Sequence, residues 1–333
     1  MSIRRRIALT WLGFGAGAII TCLAAPLIGS TSIDFRRVFD RSIPFADNTD
    51  AQIFFVARLP RVLAGAMVGS ALAAAGVVFQ ALLRNPLATP FTLGVSAGAA
   101  LGAMLALTLD LPSGITGFSA VPIASFAGSL GAVAIVYALA RARHRGLSTN
   151  VLLLAGVTLN SFFSALIIFV QFLADQTQTF RTVRWLMGDL DVSSYRSLLA
   201  AIPPLGLSFA AFAVLPRSMN LLSISDESAA SRGVDVHRTQ RLAFLSASLA
   251  TGAAVSLGGP VGFIGIVVPH LVRLLVGADH RLVLPASAFG GAAFLVACDT
   301  ISRTALSPLE VPVGVITAVI GGPFFLWLLI RNR

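Results

Sequence analysis

Lysine is absent from this chain: all 24 basic residues are arginine, set against 14 acids, which leaves a net charge of +10. Charge of either sign is scarce, at 11% of residues, where a soluble domain carries about a quarter. So little charge cannot cover a water-exposed globule, and a soluble fold is excluded. There are two cysteines, Cys22 and Cys298, and both fall in apolar runs, which argues against a disulfide framework or a metal site and for lipid-facing or packing roles. Carboxylates are nearly missing from the apolar runs. Without a buried carboxylate relay, an ion-coupled secondary transporter or channel loses its usual machinery, so any transport must draw its energy from elsewhere. The isoelectric point near 11.4 could suggest nucleic acid, but the arginines are scattered over loops and form no aromatic-interleaved patch.

What is present is apolar: 56% of the 333 residues are hydrophobic, and the mean hydropathy is +0.87. A spanning helix needs about 20 mostly apolar residues to cross a hydrocarbon core about 30 Å thick. Apolar runs and loops predict an all-α polytopic membrane protein, a single transmembrane domain over 1–333 with ten helices at roughly 7–28, 61–83, 92–109, 121–140, 151–174, 198–215, 241–259, 261–277, 284–302 and 312–330. The boundary between the seventh and eighth falls in a breaker-rich hairpin, Ser256 to Gly265. Arg4-Arg5-Arg6 and the run after it imitate a signal peptide, but the run exceeds an h-region of about 7–15 residues, so it reads as an uncleaved first helix. With both termini cytoplasmic, the inner segments hold 15 arginines and four acids and the outer ones nine arginines and ten acids, the asymmetry expected of positive-inside topology. Two outer segments, Gly29 to Arg58 and Asp175 to Arg196, are long enough for short surface helices, and Trp185 in the second reads as an interfacial anchor.

Several patterns invite chemistry. GVSAG (Gly94 to Gly98) matches the nucleophile elbow and would make Ser96 a nucleophile, with His270 the intramembrane histidine an intramembrane protease would need. The elbow requires a strand-turn-helix context, however, and Gly65/Gly69, Gly94/Gly98 and Gly98/Gly102 are explained as small-xxx-small packing pairs. Asp299 and Arg303 stand four apart, the spacing of a pair on one helix face. RLPR (Arg58 to Arg61) places two arginines on one face if Pro60 opens its helix. With Arg303 they would either snorkel to lipid headgroups or receive acidic side chains of a soluble partner, since arginine forks suit carboxylates. RNPLATP (Arg84 to Pro90) forces a break, because its prolines forbid a continuous helix. In GLSTN (Gly146 to Asn150) the polar side chains can cap the next helix. The insert Pro216 to Arg241, with Asp226 to Gly233 at its centre, is a polar stretch between two apolar runs, ordered as though something soluble must grip it.

RLPR, the run from Gly69 to Ala103, LLLAGVTLN (Leu152 to Asn160), GFIGIVVPHLVRLLVGADHR (Gly262 to Arg281) and EVPVGVITAVIGGPFFLWLL (Glu310 to Leu329) together closely resemble the permease family of type II ABC importers for ferric siderophores, haem and cobalamin. The resemblance covers essentially the whole chain in the family's motif order. It implies a permease that pairs with a second copy or a homologue, two cytoplasmic ATPase subunits that bind ATP and Mg, and a periplasmic or lipid-anchored substrate-binding protein. No cofactor, catalytic residue or metal site is expected in this chain, no nucleic acid is expected among its partners, and its place is the bacterial cytoplasmic (inner) membrane.

By position, Asp226, Glu227, Ala229, Ala230, Arg232 and Gly233 resemble the family's ATPase-coupling element, in which small residues permit close docking and glycine supplies a sharp bend. Arg58, Arg61 and Arg303 match arginines that receive glutamates of the binding protein, and Asn85, Leu87, Ser148 and Thr149 match a cytoplasmic gate. The implied mechanism is alternating access: binding protein docks, ATP draws the nucleotidases together, and the coupling inserts move with them. The expected cargo is a bulky iron chelate, ferric siderophore or haem, with cobalamin as the alternative.

Overall fold

The computed structural model describes residues 3–111, 119–143, 149–191 and 194–331. Helices carry the fold, and no strand occurs among the described residues. In chain order they are α1 (Ile3–Ala24), α2 (Thr49–Leu83), α3 (Val95–Thr108), α4 (Ala120–Arg143), α5 (Thr149–Leu173), α6 (Gln176–Leu186), α7 (Tyr195–Val214), α8 (Pro216–Leu222), α9 (Asp226–Ser231), α10 (Val236–Gly258), α11 (Ile264–Val276), α12 (His280–Thr304) and α13 (Val313–Arg331). Seven, namely α1, α2, α4, α5, α7, α10 and α12, are long and apolar enough to cross a membrane, and α3, α11 and α13 are shorter apolar helices.

The few polar residues between helices start the next helix. Side-chain oxygens of Asn48, Asp175, Ser194, Ser225, Asp235 and Asp279 accept backbone N–H groups in the first turns of the helices they precede, satisfying donors that have no intrahelical partner. Asp235 therefore starts α10 five residues before the expected position 241. Both long loops contain helix: Phe35–Val38 stands alone in the first, whose Thr49–Gln52 turn runs on into α2, and α6 forms in the second. Trp185 on α6 packs against the cluster of Ala100, Met104 and Ile167, so the bundle itself anchors its ring.

The second helix departs most from expectation. It does not open at Pro60 but runs unbroken from Thr49, with a π-helical stretch over Ile53–Arg58. Proline cannot donate to the residue four before it and its ring crowds that carbonyl; a wider turn before Pro60 accommodates both, as π-bulges do inside α-helices. The breaker-rich hairpin after α10 is also resolved. Gly259 and Phe263 both take positive φ, 68° and 67°, which delays α11 to Ile264.

α2 is the centre of the bundle, with nearly every residue from Val62 to Leu83 buried and α10, α11 and α12 around it. Two close approaches set this packing. A Cβ at Gly69 would lie 2.2 Å from the carbonyl oxygen of Gly291 on α12, and one at Gly76 2.2 Å from that of Gly265 on α11. Backbone meets backbone there, as small residues allow between membrane helices. Gly98 and Gly102 likewise face Gly128 and Ala124 across α3 and α4. Gly76→Val is therefore expected to cost at least the ~1–3 kcal/mol of an overpacked core. A melting temperature in detergent equal to wild type would show that α2 and α11 stand farther apart.

Candidate functional site

Polar residues concentrate at the two ends of α2. At the Pro60 end, Arg61 donates from Nε to Asp299 Oδ1 at 2.9 Å and from Nη1 to Glu310 Oε2 at 2.7 Å. Arg303 Nε lies 3.1 Å from Asp299 Oδ2, the expected i,i+4 pair, as an ionic contact without hydrogen-bond alignment. Arg58 lies against Gly29, where a side chain would collide with its guanidinium. It donates to the carbonyls of Pro26, at 2.9 Å, and Thr31. Arg303 also reaches the Ile28 carbonyl at 3.5 Å.

All three arginines are buried, at 5%, 8% and 5% exposure for Arg58, Arg61 and Arg303. They are held by protein carboxylates and carbonyls, which removes the lipid-snorkelling reading and shows that the cluster ties the chain after α1 to α2 and α12. They still line a recess of about 190 Å³ together with Asp191 and Glu310.

At the other end, Arg84 closes α2 in the left-handed region, φ 48°, with the Asn85 N–H returning to the Gln80 carbonyl at 3.1 Å. Asn85 Oδ1 then accepts the Leu87 N–H at 2.9 Å, a side-chain-stapled turn that leaves Leu87 exposed. Beyond it, the Thr92–Leu93 backbone packs against Gly156 of α5, the helix that Thr149 opens. Ser148 lies outside the described residues.

The insert is two short helices, α8 and α9. Ala229 is fully buried, while Asp226, Glu227, Ala230, Arg232 and Gly233 are exposed, as is Ile224 just before them. The Gly233 N–H bonds to Ala230 and the Val234 N–H to Ala229, a Schellman-type end in which Gly233 at φ 83° needs the freedom of a residue without Cβ.

The insert is fastened to the membrane helices at two points. Asn220 Nδ2 donates to Asp279 Oδ1 at 2.8 Å, and Asn220 Oδ1 accepts the His280 N–H at 2.8 Å. The Arg281 guanidinium beside Asp279, with help from Asn220, holds that carboxyl well below the usual carboxylate range. The second fastening is Arg84, which donates from Nε to the Leu222 carbonyl at 2.8 Å and pairs through Nη2 with Asp226; Gln240 approaches the same carboxylate at 3.4 Å. One side chain thus joins the end of α8, the start of α9 and the turn that carries Asn85 and Leu87. From the sequence, Arg84 is legible as a cytoplasmic charge and as the first residue of the RNPLATP break, with no link to the insert.

Ser96 and His270 form no catalytic pair. Ser96 Oγ and His270 Nε2 are both buried without a hydrogen-bond partner, and His270 instead meets the Phe324 ring edge-on.

The described residues form a helical membrane bundle with a fastened polar insert at one end and a carboxylate-bound arginine cluster at the other. Residues 17–331 match the FecCD transport family. The chain is 38% identical over 317 residues to the hemin transport system permease protein of Yersinia pestis, covering 95% of this chain and 93% of that one. It is 42% identical over 335 residues to the cobalamin import system permease protein of Halobacterium salinarum, covering 98% and 87%. A solved structure of an ABC transporter assigned to the metal-chelate type, in an inward-facing conformation, superposes with a TM-score of 0.80 at 31% identity over 98% of this chain and 99% of that one. The chain belongs to the FecCD transport family. It is a type II ABC importer permease of the cytoplasmic membrane, a transport subunit whose ATP is hydrolysed by a separate partner.

Proposed function

We propose that this permease imports a bulky iron chelate, ferric siderophore or haem, with cobalamin the alternative cargo. Relatives named for hemin, iron chelatin and cobalamin support this range. The chain forms one transmembrane domain that crosses the membrane ten times with both termini in the cytoplasm, a topology supported by the arginine asymmetry. It pairs with a second permease copy or a homologue, over two ATPase subunits.

The observation that carries the mechanism is the Arg84 junction. The exposed face of the insert, Asp226, Glu227, Ala230, Arg232 and Gly233 seated on buried Ala229, is the ATPase-coupling surface. Arg84 passes its displacement to Asn85 and Leu87, which with Ser148 and Thr149 make up the cytoplasmic gate. On the outer face, carboxylates of the binding protein enter the recess lined by Arg58, Arg61 and Arg303. Rocking of the helices between outward and inward access then moves the cargo.

Co-expression with a neighbouring ATPase gene should yield a stable complex with vanadate-sensitive ATPase activity. In proteoliposomes supplied with the binding protein, ATP should drive uptake of ferric siderophore or hemin. Uptake of cyanocobalamin alone would overturn the cargo, and uptake driven by a proton gradient without ATP would overturn the mechanism.

A further inference from the structure

A second concave site lies away from both polar ends. Its floor is α2 and α12, where Met67, Ser70 and Ala288 face it; its sides are Trp11 of α1 and Phe209 of α7; the void is about 1000 Å³ and almost wholly apolar. That is the upper end of the range for small-molecule pockets. One end of the groove is basic, with Arg217 at the start of α8 and Arg281 at the start of α12. Arg281 spends its fork on Asp279, at 2.7 Å from Nη2, whereas Arg217 is exposed and makes no ion pair among the described residues. Arg4 and Arg5 stand exposed at the same end of the molecule. The neighbouring Arg6 shows the level, since its Nη2 donates to the Val276 carbonyl just before α12 at 2.6 Å. Trp11 is 49% exposed one helical turn further along α1 than Ile7, which also lines the groove.

We propose that this groove holds one anionic phospholipid, its acyl chains laid on the α2–α12 floor and its phosphate against Arg217. The occupant must be apolar along its body and anionic at one end, at membrane depth, and a phospholipid is the molecule of that chemistry that the surrounding solvent supplies. Basic pockets between membrane helices on the cytoplasmic side recognise such headgroups, and an indole near the interface favours the same depth. The leaflet is the cytoplasmic one, which rests on the orientation given under the proposed function.

The test is native mass spectrometry of the purified permease–ATPase complex, loaded from mixed micelles of equimolar phosphatidylglycerol and phosphatidylcholine. Wild type is expected to retain one phosphatidylglycerol per permease chain with at least about a five-fold preference, the factor that about one additional cation at an anionic surface provides. Arg217→Gln should bring the preference close to one. Ala213→Trp, which adds an indole from an exposed groove position, should reduce retention of both lipids. Equal retention of the two lipids by wild type overturns the proposal, as does an unchanged preference in Arg217→Gln or unchanged retention in Ala213→Trp. A peptide retained in place of lipid overturns it too. The same spectra count bound ATPase subunits, so loss of ATPase with lipid preference intact faults the coupling reading alone.

Discussion

Asp299→Ala is expected to cost the folded permease about 3–5 kcal/mol, the loss when one member of a buried ionic cluster is removed and its partners stay buried. Asp299 is 1% exposed and holds Arg61 on one carboxylate oxygen and Arg303 on the other. Without it, buried Arg303 has no carboxylate partner among the described residues and Arg61 keeps only the half-exposed Glu310. Glu310 is the internal control: it pairs with the same Arg61, but its side chain is 41% exposed, so Glu310→Gln is expected to cost no more than about 1 kcal/mol. Melting temperatures from fluorescence-detected size exclusion would order the two variants. An Asp299→Ala shift no larger than that of Glu310→Gln would show that the cluster is solvated and contributes little. The same burial affects how docking is tested. Arg58→Glu with Arg61→Glu reports folding before it reports docking, so assembly with the ATPase must be scored first, and loss of transport with assembly retained is the outcome that supports a docking role.

Arg84→Ala should leave the protein nearly as stable as wild type and yet lower transport about ten-fold at unchanged ATP turnover. The two expectations separate because the Arg84–Asp226 pair is half-exposed, at 39% and 50% of the two side chains, and surface pairs contribute only about 0–1 kcal/mol to stability. Coupling between sites typically amounts to ~1–3 kcal/mol, enough for factors of roughly 5–150. Exchanging the charges, Arg84→Asp with Asp226→Arg, should restore part of the transport that either change alone removes. Transport that falls in proportion to ATPase activity would mean that Arg84 serves ATPase binding and passes nothing on. A melting temperature that falls with Arg84→Ala would assign it to holding the insert in place.

The sequence made legible whatever depends on local spacing. Apolar runs located the long helices, the glycine pairs on α2 and α3 marked the close approaches at Gly69, Gly98 and Gly102, and Asp299 and Arg303 were readable as a pair from their four-residue interval. The N-terminal extension of α2 was hidden because Pro60 carries the usual signature of a helix start, and nothing in Thr49 to Leu59 announces that a π-turn will absorb it. The joining of Arg61 to Glu310 and of Arg84 to Asp226 links positions 249 and 142 residues apart. One chain read alone holds no signal for such pairs. For the same reason the arginines of RLPR looked like free guanidinium groups, although folding gives each a carbonyl or carboxylate.

From Arg61 to Arg84, α2 is continuous, mostly buried and roughly 35 Å long at about 1.5 Å per residue. Close glycine contacts against α11 and α12 leave it little room to bend. A shaft of this kind has no preferred direction of signalling. If docking of the binding protein at one end changes how tightly the ATPase grips its nucleotide at the other, thermodynamic linkage obliges the nucleotide to change the binding protein's affinity by the same factor. A weakened hold on the binding protein in one nucleotide state would then be the reciprocal of its own effect on nucleotide affinity.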